Sequence, residues 1–468
     1  MTAAPSLHFL HVAMRHATGP LYLVIADAIG QAITRRELLA GDRLPPQRQV
    51  AEALGIDLTT VTRAYAEAHR RGLLDAKVGR GTFVRAESPL PEPGEPLRGL
   101  VDMSMNLPPQ PQLPSLRTLL QDSLAELLRG SDMRTLMTYR SGAGSLRDRV
   151  AAGAWLRPVM GEIDPDRILV CAGAQCALTA LLTTLTRPGD TVLTEQLTYP
   201  GFRALAGQLG LRLVAARADA EGLLPDAVDQ ACRDAPPKAI YCIPTIHNPT
   251  TATLPAARRQ ALAELAVRHG VPIVEDDAYG ALPSQPLPAV TALAEGAGYY
   301  VGTLSKCLSP GLRTACVVAP GRMEARRLLE AVRATSLAPS PLLTSLVTRW
   351  IEDGSAVALR DAIRQEAVAR QAIAREVLAG LDIAAHPEGL HLWLTLSDQW
   401  SHADFTAHLR QRGLALVASD SFAVATPAPN AVRICTGAAE SREALRGALL
   451  AVAEAMRMHA PTHLADIV

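Results

Sequence analysis

The chain has 468 residues, 48% of them hydrophobic, and its 46 lysines and arginines balance its 46 aspartates and glutamates. That length calls for two or three domains, and the composition excludes both a disordered chain and a membrane-embedded one. No apolar run reaches bilayer-spanning length, Met1 to His16 lacks the order of a signal peptide, and seven scattered cysteines form neither a disulfide framework nor a zinc pattern. A cytoplasmic protein with no metal site and no membrane contact is expected.

Net neutrality conceals an asymmetry. Residues 1–85 carry 11 basic and 7 acidic side chains, so a basic head leads a mildly acidic remainder. Within that head, apolar residues recur at helical spacing from Leu21 to Leu39, opened by Pro20 and stopped at Gly41. A short helical pattern from Gln49 to Leu54 is broken by Gly55, and Asp57 is placed to cap a helix from about Leu58 to Arg71. Two short helices around a glycine turn predict a helix-turn-helix, and Leu73 to Val84 alternates like a hairpin around Gly79-Arg80-Gly81. Thr59, Thr60, Thr62 and Arg63 near the start of the second helix are suited to base edges or phosphates of double-stranded DNA. Arg48 precedes that helix pair, and Arg80 at the hairpin tip suits the backbone or minor groove. A three-helix packing module with a solvated basic face is the alternative reading.

Residues 86–100 hold Pro89, Pro91, Pro93 and Pro96 without periodicity and read as a tether. The organisation expected is therefore a DNA-binding domain at 1–85, a linker at 86–100 and a large domain at 101–468. From Ile168 onward, β-like runs alternate with helical stretches: Ile168–Cys171, Thr191–Thr194, Leu211–Ala215, Ala239–Ile243, Pro272–Val274 and Tyr299–Val301. The alternation predicts an α/β domain with a mainly parallel sheet flanked by helices. In such sheets ligands gather past the carboxyl ends of the strands.

Those ends carry a set of groups. Ala172-Gly173-Ala174-Gln175 opens a helix whose free N–H groups suit a phosphate, or else simply packs it closely on the sheet. Tyr199, in a turn, has the shape to stack on a planar ring or to cover the core edge. Asn248 in His247-Asn248-Pro249 is a donor for a phenolic oxygen or part of an ordinary turn. Asp276, in Glu275-Asp276-Asp277-Ala278-Tyr279, suits a pyridinium N–H, or the acidic run caps the next helix. Last comes Thr303-Leu304-Ser305-Lys306, with Arg313 seven residues on. The chain has only three lysines, Lys77, Lys238 and Lys306, and only an amine with an accessible neutral form condenses with an aldehyde. Phosphate cradle, stacking ring, pyridinium partner and reactive amine together make the part set for pyridoxal phosphate.

Two resemblances sharpen this reading. Leu44-Pro45-Pro46-Gln47-Arg48, Gly55-Ile56, Thr59-Thr60-Val61, Ala64-Tyr65 and Val78-Gly79-Arg80-Gly81-Thr82-Phe83-Val84 resemble the winged helix-turn-helix of GntR-type regulators. Pro46 and Gln47 stand where serines are usual there, and Leu58 where arginine is frequent. Residues 100–460 resemble a fold-type I aminotransferase domain, with a small C-terminal α+β subdomain. That resemblance implies Lys306 as the Schiff-base (aldimine) lysine, Asp276 on the pyridine nitrogen, Asn248 and Tyr279 on the ring oxygen, and Tyr199 on the ring. It implies Ala174, Gln175, Thr303, Ser305 and Arg313 around the phosphate, with Tyr139, in Tyr139-Arg140-Ser141-Gly142, reaching the phosphate of a neighbouring subunit. Arg433, in Ala431-Val432-Arg433-Ile434, matches the clamp for a substrate or effector carboxylate. The family's usual serine and glycine are replaced at Thr303 and Thr251.

The combination is similar to the MocR subfamily of transcription regulators. It implies a pyridoxal-phosphate-dependent, DNA-binding homodimer, arranged head to tail in many relatives, that senses an amine, an amino acid or the cofactor itself. The competing reading is a working aminotransferase with an appended DNA-binding module.

Overall fold

A computed structural model of the chain describes residues 8–15, 20–34, 37–38, 42–70, 73–77, 81–84, 101–111, 115–130, 133–138 and 142–458. The chain forms two compact units, Met1–Arg98 and Gly99–Val468.

In the first unit, helices Leu21–Thr34, Gln47–Leu54 and Leu58–Arg70 close a core of Ile25, Ile29, Val50, Val61, Ala64 and Tyr65. The expected helix to Leu39 ends early, at Thr34. Gly55 terminates the second helix with φ +64°, a left-handed conformation that costs glycine nothing, and the next helix starts three residues later. Asp57 acts as foreseen: its Oδ1 accepts from the N–H of Thr59 at 2.7 Å. Strands β1 (Leu74–Lys77) and β2 (Gly81–Val84) pair antiparallel as the wing.

The second unit opens with β3 (Val101–Asp102). Its main sheet has seven strands: β4 (Ile168–Cys171), β5 (Thr191–Glu195), β6 (Arg212–Ala216), and, after the short hairpin β7 (Ala218–Asp219) and β8 (Gly222–Leu223), β9 (Ala239–Cys242), β10 (Ile273–Asp277), β11 (Gly298–Thr303) and β12 (Ala315–Val318). Their order is β4-β12-β11-β10-β9-β5-β6, and every neighbouring pair is parallel except the two that β12 makes. Apart from the edge strand β6, these strands are buried along nearly all their length and most read as largely apolar runs, which is why they were legible. The antiparallel β12 lay outside the expected alternation, because its run Ala315-Cys316-Val317-Val318 follows β11 with no intervening helix.

A smaller antiparallel sheet, order β13-β14-β17-β16, is built from β13 (Ile383–Ala385), β14 (His391–Thr395), β16 (Val417–Ala418) and β17 (Ala431–Cys435), while β15 (Leu414–Ala415) pairs in parallel with β3. The entry strand is thereby stitched into the small subdomain. Among the described residues no helix is long and apolar enough to cross a membrane.

Candidate functional site

Sheet register brings the predicted phosphate groups together. Thr303 pairs with Ala315, and Ala315 with Cys171, so the end of β11, the start of β12 and the end of β4 lie side by side. Gly173, two residues past β4, N-caps helix Ala174–Leu185 with φ +89°. A Cβ there would lie 3.0 Å from a guanidinium nitrogen of Arg313. The arginine therefore covers the N-terminal amides of that helix, a place of positive potential fitted to a dianion. Ser305 and Thr303 share a 3.0 Å hydroxyl contact beside it. The helix begins at Ala174, making Ala174 and Gln175 its first residues. Gln175 gives its side-chain amide to the carbonyl of Gly201 at 3.0 Å, which leaves its backbone N–H for a ligand.

The three acids of residues 275–277 belong to β10, which runs three residues beyond the expected end at Val274. Alternation on the strand separates their tasks. Glu275 accepts from the N–H groups of Val290 and Thr291, capping the next helix, and faces the buried Arg259. Asp277 accepts from Tyr300 Oη at 2.9 Å. Only Asp276 faces the site, where Tyr241 Oη donates to its Oδ2 at 2.6 Å. Burial pushes the Asp276 carboxyl up to about 6, opposed by the Tyr241 hydrogen bond, raised by Asp277 and lowered by Lys306. It is thus anionic at neutral pH and would gain from a cationic partner.

Lys306 follows β11 and is half-buried; its Nζ donates to the backbone carbonyl of Asn106. Burial lowers its amine to about 8, with Cys435 raising it, Arg433 lowering it and Asp276 raising it. A neutral fraction is therefore accessible near pH 7, as condensation with an aldehyde needs. Arg433, on β17, donates from Nη1 to Asn248 Oδ1 at 2.7 Å and from Nη2 to the carbonyl of Ser104, and its guanidinium lies 4.9 Å over the Phe422 ring. Its Nε has no partner among the described residues, so one donor of the fork stays free. Tyr199, half-buried, has its hydroxyl raised by burial and by Asp276 and lowered by Arg313 and Arg433, which sets it among these charges.

Tyr279, the last of the ring contacts, is fully buried and accepts at its Oη from Asn106 Nδ2 at 2.7 Å. Asn106, Tyr241, His391 and Phe422 were missed by sequence reasoning. Tyr241 offered a weak signal, a polar ring inside an apolar strand; the other three offered none, since their partners lie far away in the chain. Tyr139 and Arg80 fall outside the described residues. In the first unit, Arg48, Thr59, Thr62 and Arg63 are exposed and Thr60 half-buried. Thr62 Oγ1 is engaged with Gln47 Oε1 at 2.8 Å, and Arg63 stacks on Tyr22 at 4.7 Å. Both therefore also hold helices together.

Fold and site define a helix-turn-helix module joined to a fold-type I transferase domain. Residues 98–452 match the family Aminotransferase class I and II, and residues 21–84 match Bacterial regulatory proteins, gntR family. The chain is 30% identical over 439 residues to the uncharacterized HTH-type transcriptional regulator YdeF of Bacillus subtilis (strain 168), spanning 93% of this chain and 94% of that protein. It is 30% identical over 411 residues to the vitamin B6 salvage pathway transcriptional repressor PtsJ of Salmonella typhimurium, spanning 86% and 91%. A kynurenine aminotransferase of Pyrococcus horikoshii superposes with a TM-score of 0.71 at 24% identity, covering 77% of this chain and 91% of that one; that likeness speaks to fold. The chain belongs to the aminotransferase class I and II family, as one of the HTH-type transcriptional regulators that join a GntR module to such a domain.

Proposed function

We propose that this protein is a DNA-binding transcription regulator whose large unit holds pyridoxal phosphate and senses an amine or amino acid at Lys306. The observation that carries the reading is one strand-end constellation. Arg313 lies over Gly173 at a helix N-terminus, Asp276 is held by Tyr241, and Lys306 has its amine lowered to about 8. When bound, the cofactor supplies an aldehyde that condenses with a primary amine. The chain's residues do the rest. Arg313, Thr303, Ser305 and the amides of Ala174 and Gln175 would hold the phosphate, Asp276 would keep the ring nitrogen protonated, Asn248 and Tyr279 would serve the ring oxygen, and Tyr199 would cover the ring. Arg433 takes a carboxylate. The division of labour follows the tether, with DNA contacts in residues 1–85 and sensing in 101–468.

A homodimer fits both halves. Helices Leu116–Gly130 and Met133–Met137 leave Leu124, Leu128, Met133 and Met137 38–70% exposed, a surface suited to a second copy. Tyr139, expected to reach the partner's phosphate, stands two positions after Met137 in the sequence and outside the described residues. Head-to-tail pairing and a cytoplasmic setting belong to this proposal.

The test is to titrate amines and amino acids into the cofactor-loaded protein while recording its visible spectrum and its DNA affinity. Lys306→Ala should abolish the Lys306-dependent visible band. Arg48→Ala should weaken DNA binding and lower the slope of log affinity against log salt by about 0.9, one phosphate contact. An unchanged band, or DNA binding indifferent to salt, sinks the reading. Transamination at ordinary enzyme rates, roughly 1–1000 per second, with DNA affinity unmoved by amines, would favour the enzyme instead.

A further inference from the structure

Resting on that cofactor reading, we propose that Asn106 is a positioning residue. Through a hydrogen-bond chain that starts at the carbonyl of His247, it commits the hydroxyl proton of Tyr279 to the ring oxygen of the cofactor.

The order of protons follows from one fixed acceptor. A backbone carbonyl only accepts. The oxygen of His247 lies 3.1 Å from Nε2 of His391, so Nε2 carries a proton. His391 is fully buried, and burial first, then Arg433, pushes its imidazole down to about 3. It is therefore neutral, and its Nδ1 is a lone pair. Nδ1 lies 3.0 Å from the side-chain amide of Asn106, which must present its N–H₂ rather than its oxygen. This fixes an amide orientation that heavy atoms alone leave ambiguous. The second hydrogen of the same Nδ2 then points at Tyr279 Oη, 2.7 Å away. Consistently, Asn106 Oδ1 is buried without a partner among the described residues.

Tyr279 thus receives a hydrogen bond from Asn106 and must send its own proton elsewhere. Burial raises its hydroxyl well above the usual range, so the proton stays on. The backbone carbonyl of Asn106 meanwhile accepts from Lys306 Nζ, so one residue orients both the amine and the phenol. The charged groups facing the pair are Arg433, Lys306 and Asp276; His247, Cys435 and Tyr199 are the other titratable ones. A donor held on the ring oxygen favours that oxygen's anionic form and lowers the pH midpoint of the cofactor's visible band. Asn106 sets that midpoint without touching the cofactor.

Two measurements test this. Histidine-labelled 15N NMR of the protein without cofactor should show His391 protonated at Nε2 and bare at Nδ1 between pH 8 and pH 5; an Nδ1–H tautomer or an imidazolium at pH 6 overturns the proton order. In the cofactor-loaded protein, Asn106→Ala and His391→Leu should each raise the midpoint of the visible band by about one unit, within what a hydrogen bond to a charged group carries. His391→Gln, whose amide oxygen can replace the Nδ1 acceptor, should keep it near the original value. In a Tyr279→Phe background, Asn106→Ala should add no further change, because the two act through one proton. An unmoved midpoint in Asn106→Ala overturns the proposal, as does a full change that persists without the Tyr279 hydroxyl. If the unaltered protein takes up no cofactor, the reading of the site falls and the acceptor named here falls with it; the NMR result still decides the proton order by itself.

Discussion

Glu195, at the end of β5, shows how strongly the site's surroundings bend ordinary acid–base behaviour. It is buried, accepts from the N–H of Ile243 at 2.9 Å and from Thr194 Oγ1 at 3.1 Å, and has no cation among its hydrogen-bond partners. Burial lifts its carboxyl from 4.5 to about 7, against those two bonds. The folded value lies above the unfolded one, so between those pH values the folded chain keeps a proton that the unfolded chain releases. The stability penalty is therefore absent below pH 4.5, grows upward, and is complete above about pH 7. Glu195→Gln should stabilise the cofactor-free protein by roughly 3 kcal/mol at pH 8 and by almost nothing near pH 4.5. Thermal melts of both proteins across that range check it; a constant difference would mean the carboxyl is not the titrating group. Sequence reading passed over Glu195 because one acid after an apolar run looks like a loop residue. Its burial depends on β9 packing beside it. Lys306 and Asp276 drew notice for the opposite reason: each stands at a strand end, where position alone carries information. Asn106 and His391 stand 285 residues apart, and no local pattern joins residues so distant.

At the scale of elements, the turn from β4 into helix Ala174–Leu185 concentrates the phosphate-binding demand. Gly173 meets two constraints there, a positive φ and the guanidinium 3.0 Å from where a Cβ would stand. Gly173→Ala should cost roughly 1–3 kcal/mol of backbone strain and displace Arg313, weakening cofactor affinity by about tenfold or more. Equilibrium titration followed by absorbance reads this, with the melting temperature reporting strain separately. Unaltered affinity would remove Arg313 and this helix terminus from the cradle. Element boundaries were legible to within a few residues where both faces are buried, as in β4. They slipped where polar residues continue a strand, as in β10, because Glu275, Asp276 and Asp277 resemble a turn until their buried partners are known.

For the whole molecule, the proposed dimer makes a separate prediction. Leu128→Glu would place a charge in the subunit contact, where an unpaired ion costs about 3–5 kcal/mol, and should shift the protein toward monomer in sedimentation at micromolar concentration. A dimer of unchanged stability would move the contact away from helix Leu116–Gly130. The two-part organisation itself was legible, because the prolines of residues 86–100 separate two differently charged, differently patterned stretches. What the sequence hid was the entry segment's destination. Val101 and Asp102 pair with β15, and the N–H of Cys435 donates to the carbonyl of Met103 at 3.0 Å.

That entry segment has a consequence for signalling. The carbonyl of Ser104 accepts from Arg433 and the carbonyl of Asn106 from Lys306, and the same stretch continues through the tether into the DNA-binding unit. Under the proposed function a ligand's carboxylate would compete with the Ser104 carbonyl for Arg433, so the clamp and the entry segment share one guanidinium. If the Arg433–Ser104 tie carries the proposed signal, DNA affinity should answer more strongly to amino acids than to amines without a carboxylate that alter the spectrum equally well. Equal responses to both would assign the message to some other part of the fold.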